Sequence, residues 1–359
     1  MAVYPKSETD RRVAADDLQR IVSGIFVACG MDETDGALLA QTLVFSDRRG
    51  IHSHGVLRVP DYATKLTDEG VDPRGTPRVV SDRGAAIVVD GGNTMGQIGG
   101  TFAMRYAIDR AGEIGLALAA VRGSNHCGAM DWYSMMAVEA DMIGIAGTNA
   151  LPTMAPYGGI DKIIGINPLS IAAPSAGPLP FVLDFAFGAT AHGKIRVYHQ
   201  KGLDIPDNWA FDAEGRPTTD AATALAGLIQ PIGGHKGVGL GMAVGILSSL
   251  LSGAAYGNEL GNMRGGAIAG RDGHFFMAIN IAFFEDVDRF KSRIETIIEQ
   301  VHRSRPRADV DRLLVPGEIE TDIERDYDRD GILLAGETVD DIAAVAERLG
   351  VDASSLFKS

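Results

Sequence analysis

The chain has 359 residues, 45% hydrophobic and 22% charged, a composition that suits a folded globular protein with room for two domains. Its formal net charge of −14 argues against a general nucleic-acid binder, which needs a basic surface to meet phosphates. It leaves room for a local basic pocket that holds a small anionic substrate.

The opening residues, MAVYPKSETDRR, carry no apolar run of the kind a secretion signal needs. The two cysteines, Cys29 and Cys127, lie in no metal-ligand spacing and are too few for a disulfide framework in a chain this long. A reducing cytoplasm is the expected setting. Val13 to Cys29 places Leu18, Ile21, Val22, Ile25 and Phe26 at helical spacing, and Gly30 fits the cap. Asp32 to Ser46 reads as a second helix, so the chain is expected to begin with a helical layer.

Ser46 to Leu66 follows, SDRRGIHSHGVLRVPDYATKL. His52 and His54 flank Ser53 in a polar turn, Arg58 comes after, and Pro60 sits at a plausible helix start. No further ligand lies close in sequence to complete a metal site. Two readings stay open here. One is a helix-cap turn with exposed histidines. The other is a proton donor, His54, beside a guanidinium, Arg58, whose planar fork matches a carboxylate.

Arg78 to Asp90 suggests a strand pair. The Gly-rich turn Asp90 to Gly100 comes next, then a helix over Thr101 to Ile114. The turn lacks the G-x-G-x-x-G spacing, and no dinucleotide fingerprint of that type occurs in the chain. Leu116 to Val121 and Met142 to Ala146 read as strands, each ending in Gly and small polar residues. Their turns, carrying His126 and Asn149, are expected at one edge of a sheet, where α/β proteins bind ligands. His126 there has the chemistry of a proton carrier. Asn149 and Asn167 also fit ordinary turn chemistry.

Two more strands, LSIAAP and FVLDFAF, precede Gly188 to Lys194, which nearly matches a phosphate-binding P-loop. Ile195 stands where the Mg²⁺-holding hydroxyl would be, which argues against a nucleotide triphosphatase. Pro231 to Gly253 opens with a glycine turn carrying His235 and Lys236, and a helix follows. Backbone N–H groups at such a start favour an anion. Gly237 to Asn258 holds no charge, but its glycines and serines suit a buried helix of a soluble protein better than a membrane span. His274 to Ala282 reads as a strand. Val287 to Arg303 and Glu337 to Leu349 read as helices, with the extended piece RLLVPGE between them. Arg305 to Gly350 holds 13 acidic and 6 basic residues and is expected to be a solvated surface.

Seven stretches, in order, resemble the type-2 malate/L-lactate dehydrogenase family: RGIHSHGVLRVPDY, GSNHCGA, GIAGTNALPTMAPYGG, GINPLSIAAP, FVLDFAFGATAHGK, GGHKGVGLGMAVGILSSLLSG and LVPGE. That family includes ureidoglycolate and sulfolactate dehydrogenases and diketogulonate and Δ1-piperideine-2-carboxylate reductases. The resemblance implies an α/β fold with a non-Rossmann, mixed-sheet NAD(P)-binding domain, residues 76–285. A mainly helical domain would be formed by 1–75 with 286–359. It implies a cofactor, NAD or NADP, and a homodimer with the active site between domains. By position, His54 matches the family's proton donor, with Ser53 beside it. Arg58 matches the substrate-carboxylate holder, and His126 a second active-site histidine that in some members accepts the proton. His126 and Asn149 would face substrate and nicotinamide, His126 also as a cofactor contact. Asp184, Phe185 and Ala186 match a cofactor-contacting strand end, His235 and Lys236 a cofactor-binding turn, and Pro316, Gly317 and Glu318 a late cofactor loop. Ile166 departs from the usual Thr. Cys127, Asp131 and Trp132 also depart from the pattern. All four positions are expected to line the pocket, the last three to steer substrate choice, with Cys127 read as packing rather than as an activated thiolate. The implied reaction is hydride transfer between NAD(P)H and C2 of a small 2-oxo or 2-hydroxy acid. Reduction of a cyclic imine-2-carboxylate by NADPH is an alternative. A non-catalytic or kinase-like nucleotide binder is an alternative of another class.

Overall fold

The computed structural model describes residues 7–260 and 269–357, so the first six residues of the opening segment lie outside it. The helical layer comes first. A short strand, β1 (Arg11–Val13), leads into α1 (Ala15–Ala28), α2 (Glu33–Arg48) and α3 (Val59–Thr67). The Asp32 side chain caps α2 by accepting from Asp35 N. Leu18, Ile21, Val22, Ile25 and Phe26 of α1, the set read from spacing, are all buried. They share one core with Leu39 and Leu43 of α2 and Tyr62 of α3. That core also takes in residues from the far end of the chain.

The sheet region follows: β2 (Arg78–Arg83), β3 (Ala86–Asp90), α4 (Gly96–Ile114), β4 (Leu116–Ser124), α5 (Asp131–Val138), β5 (Met142–Thr148), β6 (Pro152–Met154), β7 (Ile164–Gly165), β8 (Leu169–Ala173) and β9 (Phe181–Phe185). Then come α6 (His192–Gln200), β10 (Ala210–Phe211), β11 (Pro217–Thr218), α7 (Ala221–Ala226), β12 (Leu228–Ile229), α8 (His235–Gly245) and β13 (Asp272–Asn280). The main sheet has the order β2-β3-β4-β13-β5-β8-β9. β3 and β4 run parallel, and every other pairing in it is antiparallel.

Alternation explains why this sheet is buried on both faces. Ala117, Ala119 and Val121 of β4, with Phe276 and Ala278 of β13, pack against Ala103, Met104 and Ala107 of α4. The intervening Leu118 and Phe275 join a second core with Val238 and Val244 of α8. Because β13 runs antiparallel to both β4 and β5, those two strands point the same way, and their C-terminal turns share an edge. This is the edge expected from the sequence.

Four expectations need correction. α4 starts at Gly96 rather than Thr101, because the glycine-rich segment is itself the first helical turn. α8 is buried on one face only: Gly237, Val238, Gly241 and Val244 are covered, while Leu240, Ile246, Leu250 and Leu251 on it and its π-helical continuation are exposed. Third, the acidic tail holds a helix that spacing did not reveal. After α9 (Val287–Arg303), α10 (Glu318–Asp330) leads to β14 (Ile332–Leu334), paired with β1, and to α11 (Gly336–Leu349). The tail is therefore not only a solvated surface. Arg48 binds Asp328 through two nitrogens at 2.9 and 2.8 Å, and Arg49 meets Glu324 at 3.3 Å, which ties α10 to the end of α2. Fourth, the piece over Arg312 to Glu318 is loop rather than extended strand, and its last residue begins α10. α9 lies against the sheet edge, where Ala176 N donates to Lys291 O and Lys291 pairs with Asp141 at 2.7 Å. Among the described residues no helix is long and apolar enough to cross a membrane.

Candidate active site

The site is built on the turn between α2 and α3. Asp47, in the last turn of α2, accepts from Val56 N at 2.6 Å and meets His52 Nδ1 at 2.7 Å. A β-carbon at Gly55 would fall 2.2 Å from the Asp47 carboxylate, so the chain closes this tightly only with glycine there. The result is a 3₁₀ turn, His52–His54, in which the two histidines have different partners. His52 faces Asp47 and Tyr327. His54 Nδ1 meets Ser53 Oγ at 2.9 Å. Arg58 Nε donates to Ser53 O at 2.8 Å, and its Nη1 meets Asp61 at 3.3 Å, which fixes the guanidinium over the turn.

The second wall is the turn after β4. Gly123 has φ +63°, and a β-carbon there would press on Asp90. Asn125 locks the turn: its Nδ2 donates to Thr94 O at 2.7 Å, and its Oδ1 accepts from Gly270 N at 3.0 Å. The start of α4 seats against the same turn, with Gly96 N donating to His126 O at 3.2 Å. A β-carbon at Gly96 would lie 2.0 Å from Asn125 O, so no other residue lets the helix approach.

These two walls bring His54 and His126 face to face, ring centroids 5.7 Å apart and planes 12° from parallel. Both rings are half-buried. Loss of hydration, then the Arg58 charge, lowers the His54 pKa to about 3. Burial, then the charges of His54, Arg58, Lys65 and His274, holds His126 well below the usual imidazole range. Both rings are neutral at pH 7 in this state. His126 Nδ1 lies 2.6 Å from Tyr62 Oη, and that oxygen accepts from Gln97 Nε2 at 3.0 Å. Among the described residues neither ring's Nε2 has a hydrogen-bond partner, so each has one nitrogen available for chemistry.

The other predicted residues sort differently. Asn149 is buried, and its amide is committed: Nδ2 donates to Ser249 Oγ at 2.8 Å and to Ala255 O at 3.0 Å, and Oδ1 accepts from Gly273 N. Asp184 accepts from Asp131 N at 3.0 Å, and Phe185 packs edge-on against Phe187 at 4.9 Å, with Ala186 half-buried beside them. Pro316 O accepts from Val182 N, so the late loop docks on β9, and Gly317 with φ +91° starts α10. The Glu318 carboxylate accepts from Val315 N and meets His302 at 2.8 Å. His235 and Lys236 are exposed at the start of α8, and Tyr157 stands edge-on to His235 at 5.8 Å. Gly233 there has open space around it, and no side chain caps the helix, so its first N–H groups and Lys236 fit an anionic cofactor group.

Of the four divergent residues, Cys127 packs, as read from the sequence, Ile166 packs half-buried against the core shared with α8, and Asp131 and Trp132 are tied to interior partners rather than left open to a substrate. Cys127 is buried, with Sγ 3.4 Å from His274 Nδ1, and burial pushes its thiol far up. Asp131 binds Arg49 at 2.9 Å in the interior. Trp132 donates to Thr101 Oγ1 and stacks edge-on to Phe45. The P-loop-like segment makes no phosphate cradle either. Ala189 N is bonded to Gln230 O, and Lys194 Nζ sits 5.0 Å over the Trp209 ring. Asp47, Tyr62 and Gln97 were missed. Tyr62 had a signal, four residues after Arg58 on one helix face. Gln97 had none.

The chain matches the family model described as malate/L-lactate dehydrogenase over residues 13–343. It is 35% identical to the malate dehydrogenase of Pyrococcus abyssi, over 95% of each chain. It is 37% identical to the L-sulfolactate dehydrogenase of Methanocaldococcus jannaschii, over 88% of each chain. The solved structure of sulfolactate dehydrogenase from that organism superposes with a TM-score of 0.89 at 33% identity, covering 97% of this chain and 100% of that one. The chain belongs to the malate/L-lactate dehydrogenase family and is an NAD(P)-dependent dehydrogenase acting on 2-hydroxy or 2-oxo acids.

Proposed function

We propose that His54, His126 and Arg58 form the catalytic centre for reversible hydride transfer at C2 of a small 2-oxo or 2-hydroxy acid. One observation carries this reading: two neutral imidazoles face each other with uncommitted Nε2 atoms, and a fixed guanidinium lies close enough for its charge to lower both. Arg58 binds the substrate carboxylate. That anion offsets the Arg58 charge, which otherwise depresses both rings, and so raises the proton affinity of His54. In reduction the C2 oxygen gains negative charge, and a histidine donor supplies its proton. Ser53 orients His54 through Nδ1. The nicotinamide, when bound, supplies or takes up the hydride.

The start of α8, with His235 and Lys236, takes the cofactor's anionic part, and the segment Asp184–Ala186 with Pro316–Glu318 lies along it. Support comes from the open glycines and the uncapped helix start. The committed amide of Asn149 gives it the role of shaping its turn. The separate helical and sheet cores support a division into 1–75 with 286–359 and 76–285, although within 286–359 it is the part from Ile332 onward that joins the helical core, while α9 docks on the sheet edge. The exposed Leu240, Ile246, Leu250 and Leu251 make an apolar stripe that a second copy would cover, which supports a homodimer. A cytoplasmic setting agrees with the two unpaired, buried cysteines.

The deciding experiment is a panel of 2-oxo acids and cyclic imine-2-carboxylates scored by NADH and NADPH oxidation. Turnover of a 2-oxo acid is expected. Turnover of imines alone would move the chain to the reductase reading, and no turnover at all would sink both.

A further inference from the structure

What a buried histidine can do depends on which nitrogen carries its proton, and the partner of the other nitrogen decides that. At His126 the partner is Tyr62, and Tyr62 has a partner of its own. Gln97 Nε2 donates to Tyr62 Oη, which leaves the single phenolic proton to be given to His126 Nδ1, 2.6 Å away. Tyr62 and Gln97 are both fully buried, so bulk water does not reset this chain. Burial also pushes the Tyr62 phenol up, so it keeps its proton.

A second observation concerns the amide itself. Gln97 Oε1 is buried without a hydrogen-bond partner. The reversed amide would aim that oxygen at the Tyr62 proton instead. The orientation present forgoes the bond and donates to Tyr62, against the absent side chain of Gly128, where a β-carbon would stand 3.1 Å from Gln97 Nε2. An orphaned acceptor next to an active-site ring is a cost without structural return.

His54 is wired differently. Its Nδ1 meets the Ser53 hydroxyl, which rotates to donate or to accept, so His54 can take either tautomer or a charge.

We propose that Gln97 and Tyr62 are positioning residues that hold His126 as the Nε2–H tautomer, a fixed hydrogen-bond donor to the substrate's C2 oxygen, and leave the proton transfer to His54. This rests on the dehydrogenase reading above. In reduction, C2 gains a hydride from the reduced nicotinamide and its C=O π pair moves to oxygen. Protonated His54 gives its Nε2 proton to that oxygen and becomes neutral, while His126 keeps its proton. Oxidation is the reverse. Besides Tyr62, the charged and titratable groups facing His126 are His54, Arg58, Lys65 and His274, and none of these four bonds its Nδ1.

The test is ¹⁵N-imidazole NMR on the whole chain without ligands, with His126 assigned by the signals lost in H126Q. The expected spectrum shows His126 Nδ1 as acceptor and Nε2 protonated. In Q97E the carboxylate accepts the Tyr62 proton, and the tautomer reverses to Nδ1–H. With the donor lost, kcat falls roughly 10²–10³-fold while KM for the nicotinamide cofactor is unchanged. In Y62F the hold is lost and the two tautomers mix, which keeps the test alive if Q97E does not fold. His126 protonated at Nδ1 in the wild-type chain overturns the proposal. So does a pH–rate limb that survives H54N and disappears in H126N. Absence of turnover with every substrate sinks the dehydrogenase reading and the donor role with it, while the spectrum still decides the tautomer.

Discussion

Two buried polar clusters flank the end of α2, and they are wired in opposite ways. In the first, Arg49 is fully buried. It binds Asp131 at 2.9 Å and Glu324 at 3.3 Å, lies over the Phe45 ring, and Asp131 N is held by Asp184. Burial, then the neighbouring Asp131 charge, pushes the Asp184 carboxyl far above its usual range, so this acid keeps a proton against Asp131. In the second, five residues on, His54 and His126 are neutral and each keeps one ring nitrogen uncommitted. The first cluster spends its charges on itself and joins α2, α5, β9 and α10. The second holds its groups in place through one atom and leaves the other open. Burial and shifted titration are common to both, so neither marks the active site by itself; the uncommitted atom does.

Replacing one member of each cluster should separate the two kinds of burial. His54→Ala should lower kcat for 2-oxo acid reduction by roughly 10²–10⁴-fold, because it removes the acid–base group. Its melting temperature and NAD(P)H binding, followed by nicotinamide fluorescence, should stay near wild type. Asp131→Ala should do the converse. It leaves the buried Arg49 with only its longer contact to Glu324, and chemical denaturation should show a loss of about 1.5–3 kcal/mol, the worth of a lost hydrogen bond to a charged group. If Asp131→Ala left stability intact and abolished turnover, the contrast between the clusters would collapse.

Arg58→Ala tests the edge between them, since Arg58 is a charge like Arg49 but its charge is felt by both histidines. Steady-state kinetics should show KM for the acid substrate rising roughly 10- to 100-fold, the worth of charge-assisted hydrogen bonds to a carboxylate. KM for the cofactor should not move. Equal loss of both would mean that Arg58 braces the turn through Ser53 O rather than binding substrate.

The second cluster was far more legible in the sequence than the first. His54, Ser53, Arg58 and His126 are polar residues in glycine turns, and their chemistry is carried by residue type. The sheet edge was legible too, because two apolar strands ending in small polar residues have few other places to go. Asp131 was not. An acid at a helix start looks like any exposed capping residue, and its partner Arg49 lies 82 positions away. Gln97 was hidden in a glycine-rich stretch that read as a turn. α10 was hidden by charge: its sequence, EIETDIERDYDRD, lacks a continuous apolar stripe. It docks through Ile323 against Gly50 and through ion pairs to Arg48 and Arg49, which helical spacing does not reveal.

The smallest effect at neutral pH belongs to a buried histidine that does no chemistry. His274 is fully buried, with Nδ1 2.6 Å from Thr148 Oγ1 and Nε2 2.8 Å from Ser124 Oγ, and burial lowers its pKa to about 3. A free imidazole titrates near 6.5. Below that pH the unfolded chain binds a proton that folded His274 refuses, so stability falls as pH falls, until about 3, where the folded ring also charges. The slope from this one group is roughly 1.4 kcal/mol per pH unit. Asp272, raised to about 7 by burial, works in the opposite direction: it keeps a proton that the unfolded chain sheds above its ordinary pKa. The variant must therefore be compared with wild type at each pH, so that this contribution cancels. His274→Gln keeps an acceptor for Thr148 and a donor for Ser124 without a titrating proton. Denaturation at pH 7 should show little change, and the gap between the two proteins should shift in the variant's favour as pH drops from 6.5 toward 4. A gap that stays constant with pH would mean that His274 is already charged in the fold. The neutral wiring inferred for His54 and His126, which rests on the same burial, would lose its support.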